Sequence, residues 1–184
     1  MVDASVERID RSITELLMLS RQDQGQPQPQ SMTDALHSVV GMVGLTLPKG
    51  VTFQVDIGTG PPVLAHPGVL GHIWLNLLDN AVRAVGDEGA IALQATADEA
   101  GWRVCISDSG AGIAPELAER IFEPFYTTRA AGEGTGLGLA IVGNIVRVCG
   151  GEIVVRPGPL GGAMFVVRLP GVSEFRPTEP ALEE

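Results

Sequence analysis

The chain has 184 residues, 45% of them hydrophobic, enough for one domain with its own core and a short appendage. Its formal net charge is -10 and its pI about 4.7, which argues against nucleic acid as a partner, because phosphate-backbone binding draws on clustered Lys and Arg. No stretch approaches the ~20 apolar residues of a membrane span and no signal peptide opens the chain, so a cytoplasmic location is expected.

Val2, Val6, Ile9, Ile13, Leu16 and Leu17 recur at helical spacing and predict a helix over 2–22. Gln24 to Gln30, with one Gly and two Pro, reads as a linker, so that helix has no neighbour in sequence to cover its apolar stripe. It docks either on the later domain or, as favoured here, on another chain, which makes a homodimer through this helix possible. A second helix is expected over Met32 to Val43, capped by Ser31 or Thr33, followed by a strand over Val51 to Ile57. Gly58 to Pro62 is expected as loop, and Pro67 is expected to open a helix reaching Ala84. Strands near 90–97 and 102–107 follow, joined by a hairpin turn. The stretch from Asp108 to Gly134 reads as irregular and glycine-punctuated, with a short helix around Pro115 to Ile121. Gly136 to Val148 reads as helix, and strands near 152–156 and 163–169 close the domain. The tail from 171 to 184 is acidic and is expected to be disordered. The expected organisation is therefore 1–23, a linker over 24–30, a domain over 31–170 and the tail. Its order of elements predicts an α/β two-layer sandwich, one mixed, mostly antiparallel sheet covered by helices. Cys105 and Cys149 lack metal-ligand spacing and are expected as buried small hydrophobes.

Three segments carry candidate chemistry. On the 67–84 helix, His72, Asn76, Asn80 and Arg83 fall within about 80° of one another, opposite Leu70, Trp74, Leu77, Leu78, Ala81 and Val85. Asparagine is a poor helix former without a task, and an amide oxygen is a good hard ligand for magnesium; a merely solvated face would also read this way. Asp108-Ser109-Gly110-Ala111-Gly112-Ile113 follows a strand, with glycines that let backbone approach a flat ligand and a carboxylate able to accept from an amino group. An ordinary glycine turn is the alternative. Gly134-Thr135-Gly136-Leu137-Gly138 leads into a helix, whose first N–H groups suit an anion. It lacks the Lys-Ser/Thr of a Walker A loop and the spacing of a Rossmann turn. Between the last two segments, Phe122 to Arg129 contains aromatics that would pin a lid, with Arg129 a cation able to reach terminal phosphates.

In this order and spacing the segments resemble the GHKL superfamily of Bergerat-fold ATP-binding domains, and within it the catalytic domain of sensor histidine kinases. His72 to Arg83 resembles the N box, Asp108 to Ile113 the first glycine box, Phe122 to Thr128 the F box and Gly134 to Leu139 the second glycine box. The resemblance implies ATP and Mg2+ as ligands, with Asn80 on the metal and Asn76 and Arg83 near the phosphates. It implies Asp108 as the adenine reader, with Gly110, Gly112 and Ile113 beside the base. Thr128, Gly134, Thr135, Gly136, Leu137 and Gly138 fall on the nucleotide side of the lid and the second glycine turn, and Asn76 and Arg129 carry the transfer chemistry. Gly162-Ala163-Met164-Phe165 occupies the place of a G-T-x-F segment, with Ala163 where threonine is frequent, so adenine-side bonding is expected to rely more on water.

Ile9 to Arg21 resembles the end of the second helix of the kinase dimerisation hairpin, whose phosphoacceptor histidine has no counterpart here. Neither His37, His66 nor His72 stands in the sequence context such a histidine requires. The implied function is donation of the ATP γ-phosphate to a histidine of a separate dimerisation and phosphotransfer domain, with a response regulator downstream. The chain would then be cytoplasmic, free or as the cytoplasmic part of a membrane-bound sensor. A nucleotide-dependent interaction module and an anti-sigma-type serine kinase of the same fold are the alternatives.

Overall fold

The computed structural model describes residues 26–127 and 135–172. The expected N-terminal helix and the tail from 173 onward lie outside the described residues. Helix α1, Met32–Thr46, starts where Ser31 accepts a hydrogen bond from the Asp34 N–H at 3.2 Å, so Ser31 rather than Thr33 is the cap. It buries Met32, Leu36, Val39 and Val43 on one stripe. It ends at Leu47, which Pro48 holds in the extended region.

Helix α2, Val69–Val85, begins two residues later than expected, because Gly68 adopts a φ of +79° that no helix accommodates. Gly86, at φ +65°, closes it by donating to the Val82 carbonyl. Leu70, Ile73, Trp74, Leu77, Leu78 and Ala81 are buried, so the expected apolar face is the core face. The Trp74 indole N–H has no acceptor there among the described residues; apolar packing outweighs that missing bond.

Helix α3, Gly138–Val148, completes the helical layer. The sheet runs β2 (Gly50–Ile57), β4 (Glu88–Asp98), β5 (Gly101–Asp108), β7 (Ala163–Pro170) and β6 (Glu152–Pro157), in that spatial order. Its pairs are antiparallel except β2 with β4, which is parallel because helix α2 lies in the crossover between them. Ile91, Leu93 and Ala95 of β4, Trp102, Val104 and Ile106 of β5, and Phe165, Val167 and Leu169 of β7 are all buried in the core. The alternate residues include Gln94, Arg103 and Arg168, the polar set that a one-sided sheet carries.

Three further segments differ from expectation. Gln28–Gln30, read as linker, is strand β1, paired antiparallel with β3, Val63–Ala65. Neither is long enough to announce itself by alternation; each exists because it has the other. The short helix near 115–121 is two 3-10 turns, Pro115–Leu117 and Arg120–Phe122. Past Pro170, Gly171 donates to the Ala100 carbonyl and Val172 to the Pro62 carbonyl, so the domain continues two residues into the segment read as tail. Cys105 is buried as expected, whereas Cys149 is half-buried, its thiol pushed up by desolvation.

Candidate nucleotide site

Asp108 is the last residue of β5 and only 3% exposed. Its Oδ1 accepts the Gly110 N–H at 2.9 Å and the Ala163 N–H at 3.2 Å, and its carbonyl accepts the Gly162 N–H at 3.1 Å. The second oxygen, Oδ2, has no donor among the described residues. One half of the carboxylate is thus tied down and the other left as an acceptor, which is what an amino group on a flat base requires. Ala163, where a hydroxyl was expected to be missed, contributes through its backbone N–H. A Cβ on Gly162 would collide with Asp108 Oδ1, so glycine there is a condition of the carboxylate's position.

The two glycine segments fix the ends of the site along α2. A Cβ on Gly110 would lie 2.6 Å from the Ala84 carbonyl, near the C-terminus of the helix. Gly112, at φ +74°, continues the turn, and half-buried Ile113 packs on the core. Two turns back, a Cβ on Gly138 would lie 2.8 Å from Asn76 Oδ1. The Asn76 amide is oriented by a bond from Nδ2 to the His72 carbonyl at 3.0 Å, which turns its oxygen toward the start of α3. Asn80, half-buried, lies one turn along, between the two ends. Ala84 and Asn76 are eight residues apart, so by helix rise the Gly110 end and the α3 end are separated by about 12 Å along α2.

Arg83 is on the same helix but exposed, and its Nε binds Asp79 Oδ2 at 3.0 Å, an i,i+4 pair on the surface. Such a pair contributes little to stability and leaves the guanidinium available for exchange. His72 is half-buried, and desolvation lowers its pKa, favouring the neutral imidazole.

At the α3 end, Gly136 has a φ of +65°, so the helix starts at Gly138 instead of at Gly136 as expected. Its carbonyl accepts the Phe125 N–H at 2.9 Å, which ties the aromatic segment to the second glycine segment. Leu137 is buried and donates its N–H to Thr135 Oγ1 at 3.3 Å. The aromatics divide in role. Phe122 meets Phe165 edge-on at 6.5 Å and Arg120 lies 4.7 Å over the Tyr126 ring, pinning the segment as expected. Phe125, with φ +66°, is 72% exposed and holds the segment through its backbone N–H instead. Thr128, Arg129 and Gly134 lie outside the described residues.

Among the described residues no group of three or more His, Cys, Asp or Glu side chains is placed to hold a metal. The amide oxygens carried by Asn76 and Asn80 on α2 are of the hard, neutral kind that suits a cation keeping much of its water. Ser109 and Gly89, which carry no motif signal of their own, hold the loop after Asp108 in place; a hydroxyl residue just past a strand is the one local mark of the first.

Residues 65–173 match the family described as histidine kinase-, DNA gyrase B- and HSP90-like ATPases. The sensor histidine kinase ZraS of Escherichia coli O157:H7 is 46% identical over 112 residues, covering 61% of this chain and 24% of that protein. The two-component sensor PprA of Pseudomonas aeruginosa is 35% identical over 181 residues, covering 92% of this chain and 19% of that protein. The chain thus spans a quarter or less of these relatives. Among solved structures, full-length ShkA in complex with AMPPNP superposes with a TM-score of 0.75 at 30% identity, over 93% of this chain and 37% of that one. The mycobacterial sensor histidine kinase MprB gives 0.70 at 28% identity, over 79% of this chain and 97% of that one.

Proposed function

Because this chain belongs to the histidine kinase-, DNA gyrase B- and HSP90-like ATPases, as a histidine kinase ATP-binding domain, we propose that it binds Mg-ATP and donates the γ-phosphate to a histidine supplied by a separate dimerisation and phosphotransfer domain. The observation that carries the proposal is the placement of the two glycine segments along the same helix, Gly110 against Ala84 near the C-terminus of α2 and Gly138 against Asn76 two turns back. Between them Asp108 offers a free oxygen to the base, and the start of α3 offers N–H groups to the triphosphate.

Position 76 favours transfer over hydrolysis. A general base has to accept a proton from water, and a neutral amide does not. Asn76 holds its place by bonding the His72 carbonyl and turns an oxygen toward the phosphate end, so it orients and does not activate. Asn80 and Asn76 are the residues that would hold magnesium, which when bound offsets charge on the phosphates. Arg83, released from Asp79, and Arg129 on the lid are the cations that would add to that stabilisation. What remains of catalysis is positioning. A response regulator as the final phosphate acceptor, and contact with the partner hairpin through the segment at 2–22 whose spacing predicts a helix, belong to the same proposal. So does a cytoplasmic location; no helix among the described residues is long and apolar enough to cross a membrane.

Mixing the chain with γ-labelled ATP and a separately prepared dimerisation hairpin tests the reading. Label on a histidine of the hairpin is the expected result. Label on a serine points to the serine-kinase alternative, and binding without transfer to a nucleotide-dependent interaction module. Replacing Asn80 with aspartate puts a negative charge beside the triphosphate, and Mg-ATP affinity is expected to fall roughly tenfold or more. Unchanged affinity by calorimetry would remove Asn80 from the metal site.

A further inference from the structure

The ladder between β4 and β5 ends at the pair Ile91 and Asp108. One step further, the Ser109 N–H donates to the Ala90 carbonyl at 3.0 Å, as the next antiparallel rung requires. The return bond is different. The Ala90 N–H goes to the Ser109 hydroxyl oxygen at 2.8 Å, so a side chain stands in the place of the main-chain acceptor. The Ser109 carbonyl is thereby left out of the sheet, and the chain turns at this residue. It runs into Gly110, which packs on the Ala84 carbonyl and returns its N–H to Asp108 Oδ1. Gly89 makes room for this rung: its φ is +149°, and a Cβ there would lie 2.6 Å from the Ser109 hydroxyl oxygen.

We propose that Ser109 is the positioning residue of the base pocket: its hydroxyl, standing in for its own carbonyl on the last rung, sets how the chain leaves β5 and so where Asp108 Oδ2 points. The proposal rests on the nucleotide reading above. Without the hydroxyl, the Ala90 N–H either goes unpaired or recaptures the Ser109 carbonyl. Recapture extends the strand by one residue and pulls Gly110 off Ala84, and the carboxylate turns with it. The loss falls on recognition of the base, far from the metal and the phosphates.

Calorimetry on the full chain with Mg-ATP and Mg-GTP separates the outcomes, using Ser109→Ala together with Ser109→Thr and Ser109→Val. The last two have nearly the same shape and differ in the hydroxyl. The expected result is an ATP affinity lowered roughly tenfold in the alanine and valine variants, within about twofold of the parent in the threonine variant, and a reduced preference for ATP over GTP wherever the hydroxyl is missing. Parent-like binding by the valine variant overturns the proposal, as does a loss shared equally by threonine and valine, or a loss that leaves the ATP-to-GTP preference intact. Should the alanine variant not fold, the threonine and valine pair carries the test. A parent chain that binds no Mg-ATP overturns the nucleotide reading itself, a result distinct from any of these.

Discussion

Replacing Asp108 with asparagine is expected to lower ATP affinity roughly a hundredfold while leaving the fold in place. The fold survives because Asp108 Oδ1 needs only to accept from Gly110 and Ala163, and the asparagine carbonyl does that as well. The amide NH2 then replaces Oδ2, so a donor faces the adenine amino group, itself a donor. Two desolvated donors without acceptors cost more than the one bond lost. Guanine presents a carbonyl at the same position, so the variant is expected to lose its preference for ATP over GTP and to gain relative affinity for GTP. Calorimetry with both nucleotides, beside a thermal melt within a few degrees of the parent, is the measurement. If both nucleotides bind the variant as they bind the parent, Asp108 does not read the base.

Gly136→Ala acts at the other end and is expected to separate phosphate binding from base binding. Two costs combine there. The φ of +65° is unfavourable for any residue with a Cβ, by about 1–2 kcal/mol. That Cβ would also lie 2.5 Å from the Phe125 carbonyl carbon, which is backbone and has no rotamer into which to retreat. The bond from the Phe125 N–H to the Gly136 carbonyl is expected to break, and the start of α3 to shift with Leu137. ATP affinity is expected to fall at least roughly thirtyfold, with adenosine binding within about twofold of the parent, because the base end lies about 12 Å away along α2. Gly138→Ala is the informative comparison: its Cβ meets the tip of the Asn76 side chain and no backbone, so the turn is expected to hold while Mg-ATP affinity falls through displacement of that amide. Equal losses for ATP and adenosine in Gly136→Ala would show that it unsettles the whole domain instead of one end of the site.

The helices and the central strands were legible because each has a long enough pattern. The 17-residue α2 shows its core face in the spacing of Leu70, Trp74, Leu77, Leu78 and Ala81, and its polar stripe in His72, Asn76, Asn80 and Arg83. Paired elements of three residues carry no such period, which is why Gln28–Gln30 reads as linker and Val63–Ala65 carries no strand signal of its own. Helix starts moved by two residues at Gly68 and Gly136, where a positive φ is a property of the turn and not of the composition around it. Arg83 illustrates the limit for side chains: its place on the stripe followed from helical geometry, but its pairing with Asp79 on the surface did not.

By itself the sequence determined the residue types of the site, their order along the chain and the helix face that carries the two asparagines, because these follow from local periodicity and from motif spacing. It also determined that position 76 holds an amide and not a carboxylate, and with that the lean toward transfer. Only the tertiary structure decided the placement of the two glycine segments two turns apart along α2, since it depends on Gly110 meeting Ala84 and Gly138 meeting Asn76, contacts 26 and 62 positions apart in the chain. It alone decided how Asp108 is aimed, through N–H groups from Gly110 and from Ala163 on a different strand, and through a serine hydroxyl that closes the last rung of the sheet. Backbone donors are the same in every residue, so their use leaves no mark in the sequence until the strands are paired.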